Sequence, residues 1–143
     1  MKKIITILVM LMIVSGCSQP PAKKPQDSSQ HKTEVRIDRE YANQVKEAAK
    51  SVKGVQDAAS VVVDKDISLA IKVSGLPRLR LKSIKAQVAA KITSLDKTYT
   101  PHITSDKKLF SELQKIEKRI NTGIEDSVKV KQDIEKINKA MNG

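Results

Sequence analysis

The sequence predicts an α+β domain, a small sheet with helices on one face, in the order helix, strand, strand, helix, strand, helix, helix. Three observations predict it. Apolar residues recur with a helical period in four segments, Ile67 to Val73 alternates instead with a period of two, and glycine or proline separates several of these segments.

Asp38 is placed to cap a first helix whose apolar positions are Tyr41, Val45, Ala48, Ala49 and Val52, and Gly54 ends it. Two strand-like runs follow, Ala59 to Val63 and Ile67 to Val73, joined by Asp64-Lys65-Asp66. In the second run Ile67, Leu69, Ile71 and Val73 share one side while Ser68, Ala70 and Lys72 share the other, which predicts a hairpin with one buried face. Gly75-Leu76-Pro77 breaks the chain before a second helix. Its stripe of Leu81, Ile84, Val88, Ile92 and Leu95 is predicted to cover the sheet. Tyr99 to Thr104 reads as a short strand, and Pro101, which has no amide hydrogen, puts it at an edge or at a strand start. Ser105 is expected to cap a third helix carrying Leu109, Leu113, Ile116 and Ile120, which stops at Asn121-Thr122-Gly123. A last helix starts with Glu125 and Asp126 in its first turn and places Val130, Ile134, Ile137 and Met141 on one face. Residues 38–143 are thus read as a single domain.

The first 16 residues have a different character. Met1-Lys2-Lys3 is basic, and Ile4 to Val14 is apolar except for Thr6, the pattern of an export signal. Eleven residues of helix reach roughly 16 Å, about half of a bilayer core, so a spanning helix is disfavoured. Val14-Ser15-Gly16-Cys17 then has the form of a lipobox: an aliphatic residue, two small ones for the peptidase cleft, and the thiol that takes up a diacylglyceryl group. Cys17 is the one cysteine in the chain, so it has no partner for an internal disulfide. Two or more acyl chains anchor stably where one binds reversibly. The reading is a signal peptide over 1–16, a lipidated N-terminus and polar tether with Pro20, Pro21 and Pro25 over 17–37, and attachment to the outer face of the cell membrane.

Charge is the next signal. Lys and Arg number 27 against 16 Asp and Glu, a formal net charge of +11. The one local concentration is Arg78, Arg80, Lys82 and Lys85, which reads either as a solvated helix face or as a contact for anionic lipid or cell-wall polymer. Nucleic acid is a poor partner, since Tyr41, Tyr99 and Phe110 are the only aromatic residues and form no stacking motif. Catalytic sites and cofactors are not expected. His31 and His102 are the only histidines, and with Cys17 given to lipid there is no zinc-type ligand set. His102, Ser105 and Asp106 are too close in sequence for a nucleophile, base and orienter, and the five glycines form no phosphate loop. Glu112, Glu117, Glu125 and Asp126 read as solvent-facing helix charges rather than a paired acid and base.

Several stretches resemble the YhcN/YlaJ-type sporulation lipoproteins of endospore-forming bacteria. They are Cys17 with its polar tether, Val52-Lys53-Gly54-Val55 leading into Ala58-Ala59-Ser60-Val61-Val62-Val63, Ile84-Lys85-Ala86-Gln87-Val88-Ala89, and His102-Ile103-Thr104-Ser105-Asp106 before Leu109-Phe110. At the hairpin turn, where that family often has a Gly-Asn type pair, this chain has Asp64-Lys65-Asp66, and Asp tolerates the backbone a tight turn needs. The resemblance implies a protein made during sporulation, located at the forespore or spore inner membrane or cortex, with germination as a process it affects. It implies no catalytic residue. A reading from another class is an envelope assembly module that packs into a ring or export complex, favoured if the last two helices expose apolar residues.

Overall fold

In a computed structural model, which describes residues 34–75, 78–123 and 126–142, three strands form one mixed sheet. The leader, Cys17 and most of the tether lie outside the described residues, as do Leu76, Pro77 and Glu125. In chain order the elements are α1 (Arg39–Lys50), β1 (Val55–Val63), β2 (Asp66–Val73), α2 (Arg78–Leu95), β3 (Thr100–Thr104), α3 (Lys107–Asn121) and α4 (Ser127–Asn142). This is the predicted α+β class and element order. β2 is the central strand, antiparallel to β1 and parallel to β3. The parallel pairing needs a long crossover, which α2 supplies. Pro101 lies on an edge strand, where its missing donor costs no ladder bond on the open side.

The helices lie on both faces of the sheet, which corrects the expectation of one. Ala58 and Val62 of β1 with Ile67, Leu69 and Ile71 of β2 pack against Ala42, Val45 and Ala49 of α1 and Ile84, Val88 and Ile92 of α2. On the opposite side Ala59, Val61, Val63 and Ala70 pack against Leu113, Ile116 and Ile120 of α3 and Val130, Ile134 and Ile137 of α4. The hairpin therefore has two buried faces. Ser68 and Ala70, read as the outer face of β2, are both 0 % exposed. Val35 and Ile37, the last apolar residues before α1, also join the second core, and Ile37 bridges Val63.

Smaller corrections concern element ends. β1 begins at Val55, immediately after Gly54, with an irregular pairing between Val55 and Asp57. Asp66 belongs to β2, so the hairpin turn is Asp64-Lys65, with Asp64 at φ +55°. Asp38 caps α1 as expected, accepting from the Tyr41 amide. Asp106 rather than Ser105 caps α3, its carboxylate accepting from the amides of Lys108 and Leu109 at 2.8 and 2.9 Å. An Asp one residue nearer the helix both reaches these amides and complements their partial positive charge. Asp126 likewise precedes α4 and accepts from the Val128 amide, instead of lying within the first turn. Leu95, at the end of the α2 stripe, is 45 % exposed.

A buried polar contact joins α4 to the sheet. The Ser68 hydroxyl donates to the Asn138 side-chain oxygen, and both residues are buried. Asn138→Ala removes the acceptor and leaves a buried hydroxyl without this partner, so a loss of about 1 to 3 kcal/mol is expected. In a cycle with Ser68→Ala, measured by urea denaturation, the second substitution should cost less in the presence of the first. Strict additivity would mean that the pair carries no coupling.

Candidate functional site

The predicted basic cluster lies on α2, whose 18 residues contain no carboxylate. The helix does not gather the four cations on one face. At about 100° per residue, Lys82 and Lys85 are within roughly 60° of each other, whereas Arg80 is turned from them by roughly 160° and 140°. Arg80 and Lys82 are exposed, Lys85 is half-buried, and the side chain of Arg78 lies outside the described residues.

Arg80 instead faces a hollow of about 410 Å³ between α2 and the turn after α1, lined by Lys53, Gly54, Arg80, Ser83, Ile84 and Gln87. A second hollow, of about 300 Å³, opens beside the end of β2, where Lys72 and Lys107 lie with Phe110, Ser105, Ser111 and Gln114. The charged residues lining both are all cations. None of Lys53, Arg80, Lys72 and Lys107 forms an ion pair among the described residues. A third hollow, of about 240 Å³ between α3 and α4, is different, with Glu112 and Asp133 beside Lys115, Arg119 and Lys136. Lys53, Lys72 and Lys107 were not singled out by the sequence. The signal for Lys53 and Lys72 is the pairing of Val55 with Val73, which brings the residues before β1 and at the end of β2 to one end of the sheet, and the parallel pairing of Ala70 with Thr104 brings the start of α3 there.

His102, Asp106, Glu117, Tyr41 and Asp96 have structural partners. Nε2 of His102 is 3.4 Å from Asp66 and Nδ1 is 3.4 Å from the Asn142 amide nitrogen, while Asp106 is occupied by the α3 cap. Glu117, read as a solvent-facing charge, is instead 14 % exposed and paired with Lys46 of α1. Tyr41 stacks on Tyr99 with ring centroids 4.5 Å apart, and Lys65 lies over Tyr99 at 4.4 Å. Burial, then the nearby Asp96, pushes the Tyr41 hydroxyl above its ordinary pKa. Hydrogen bonds from the Thr98 amide and hydroxyl hold Asp96 below the usual carboxylate value. Among the described residues no three His, Cys, Asp or Glu side chains gather as a metal site would require. No described helix is long and apolar enough to cross a membrane.

No curated protein matches the chain. The family model described as sporulation lipoprotein YhcN/YlaJ matches residues 17–141, beginning on the predicted lipidated cysteine and running almost to the end of α4. With the resembling motifs and the helix, strand, strand, helix, strand, helix, helix order on one continuous match, the chain belongs to the sporulation lipoprotein YhcN/YlaJ family.

Proposed function

We propose that this lipoprotein is held by acyl chains on Cys17 at the outer face of the forespore or spore inner membrane, and that it works there by binding or as a structural element rather than by catalysis. The cortex and germination are the settings such a role would serve. The observation that carries the reading is the start of the family match at Cys17, the residue where the leader reaches its lipobox. Residues 1–16 would be removed, and the polar stretch before Val35 would separate the lipid from the domain. The engagement of Asp64, Asp106, Glu117 and His102 in turn, cap and ion-pair contacts supports a non-catalytic role.

Metabolic labelling with a palmitate analogue tests the anchor. The wild-type chain should be labelled and sediment with membranes, and Cys17→Ser should lose the label entirely and leave the membrane fraction. Continued labelling of Cys17→Ser would overturn the assignment. A fluorescent transcriptional reporter tests the setting, with signal expected in the forespore during sporulation and steady vegetative expression counting against it. The alternative, an envelope module that packs into a ring, would draw on apolar residues exposed by α3 and α4. Those helices turn Leu113, Ile116, Ile120, Val130, Ile134 and Ile137 into the core, and Val128 is the exposed large apolar residue among their described positions.

A further inference from the structure

The two cation-lined hollows lie at the same end of the sheet, and the chain enters the domain at the other. Ile37 bridges Val63, and the Asp38 amide donates to the Val62 carbonyl, so entry is beside the β1–β2 turn. Val55 pairs with Val73 at the far end. The length of β1 puts the two ends about 25 Å apart. The first hollow opens at Lys53 and Gly54, just before Val55, and the second at Lys72 and Val73, so they meet across the Val55–Val73 pair. Ile84 in the first belongs to the core under α1 and α2, and Phe110 in the second packs with the core under α3 and α4. The hollows are thus on opposite faces of the sheet end.

We infer that this end is a binding face for a linear phosphate-bearing polymer of the cell envelope, whose anionic groups seat in the two hollows and whose chain passes round the Val55–Val73 end. The inference rests on the reading of the domain as a binding module. Each hollow offers two cations unpaired among the described residues, with hydroxyl or amide donors beside them: Ser83 and Gln87 in one, Ser105, Ser111 and Gln114 in the other. Arg80 adds the forked guanidinium that suits phosphate oxygens. Nearby carboxylates are turned elsewhere, Asp57 to the Ala58 amide and Asp106 to its helix. A flat leaflet pressed on one face of the sheet meets one hollow, whereas a flexible chain reaches both. Two weak sites on one polymer multiply their effect. The hollow holding Glu112 and Asp133 is a control within the same molecule, with similar size and mixed charge.

The test uses the mature lipidated protein in detergent, with inorganic polyphosphate as the polymer and orthophosphate as the single-group comparison, read by titration calorimetry. The polymer should bind far more tightly than orthophosphate. Lys53→Gln with Arg80→Gln, and Lys72→Gln with Lys107→Gln, should each weaken polymer binding about tenfold, and the four together about a hundredfold. Lys115→Gln with Lys136→Gln removes the same charge from the mixed hollow and should change binding by less than about twofold. All these lysines and Arg80 are exposed, and thermal melting would verify that the variants fold. Equal weakening in all three double variants, or no preference for polymer over orthophosphate, would overturn the inference. So would uptake of the Cys17→Ser chain by phosphatidylglycerol vesicles that depends on the same four cations, since the ligand would then be a lipid leaflet. Palmitate labelling at Cys17 is unaffected by any of these results, so the anchor and the ligand fail separately.

Discussion

Leu69→Ala is expected to lower the free energy of unfolding by about 2 to 5 kcal/mol, measured by urea denaturation. Leu69 is on the central strand, paired with Ser60 on one side and Ile103 on the other, and is 0 % exposed. Its core is aliphatic apart from Tyr41 and Tyr99 at the margin, so no large ring stands ready to move into the space left behind. Leu113→Ala makes the equivalent cavity on the other side of the sheet and should cost a similar amount. The two cores share no side chain, so the effects should add to within about 0.5 kcal/mol. Together they approach the roughly 5 to 15 kcal/mol that stabilises a typical domain, and the double variant should retain little cooperative unfolding. A cost below about 1 kcal/mol for Leu69→Ala would contradict a closely packed central strand.

The same two cores explain what could and could not be read from the residues. Helical segments were legible because each carries a wide apolar stripe, as Val130, Ile134 and Ile137 do on α4. The family was legible because the order of short motifs survives without knowledge of packing. The second face of the sheet was not, because β2 presents it through Ser68 and Ala70. The buried Ser68 hydroxyl is satisfied by a hydrogen bond to the Asn138 side-chain oxygen, and the small Ala70 packs in the core under α3 and α4. The better clue was Val61-Val62-Val63, apolar at every position, which is the pattern of a strand covered on both sides. Of the cations on α2, Lys82 and Lys85 are three positions apart and share a helix face, while Arg80, two positions from Lys82, is turned away from it. Lys53 and Lys72 are 19 positions apart and were joined only by strand register.

Asp64 should show the next largest effect, because three segments converge on its side chain and backbone. Its amide donates to the Arg36 carbonyl, one carboxylate oxygen accepts from the Arg36 amide at 3.0 Å, and the other pairs with Lys131 of α4 at 2.8 Å. The residue is also in left-handed backbone at φ +55°, a conformation that costs most side chains about 1 to 2 kcal/mol. Asp64→Ala loses both side-chain contacts and keeps the strain, so a loss of roughly 2 to 4 kcal/mol is expected. Asp64→Gly relieves the backbone and should be milder by about 1 kcal/mol. Asp64→Asn retains an acceptor for Arg36 and loses only the ion pair, a change of about 1 kcal/mol or less because the pair is partly exposed. The hydrogen bond from Lys131, then that from the Arg36 amide, holds the carboxyl below its ordinary pKa of 3.8. A lowered folded pKa means that this contribution is complete above 3.8 and is lost as pH falls through the folded value. The same contact raises Lys131 above its ordinary 10.5, so on the alkaline side the contribution persists until pH passes the raised value. Urea midpoints for wild type and Asp64→Asn should therefore differ by a constant amount near neutrality and converge as the solution is acidified below the usual carboxylate range. A difference that stayed constant down to pH 2 would assign the effect to shape alone, and the charged link between the hairpin turn and α4 would be without energetic weight.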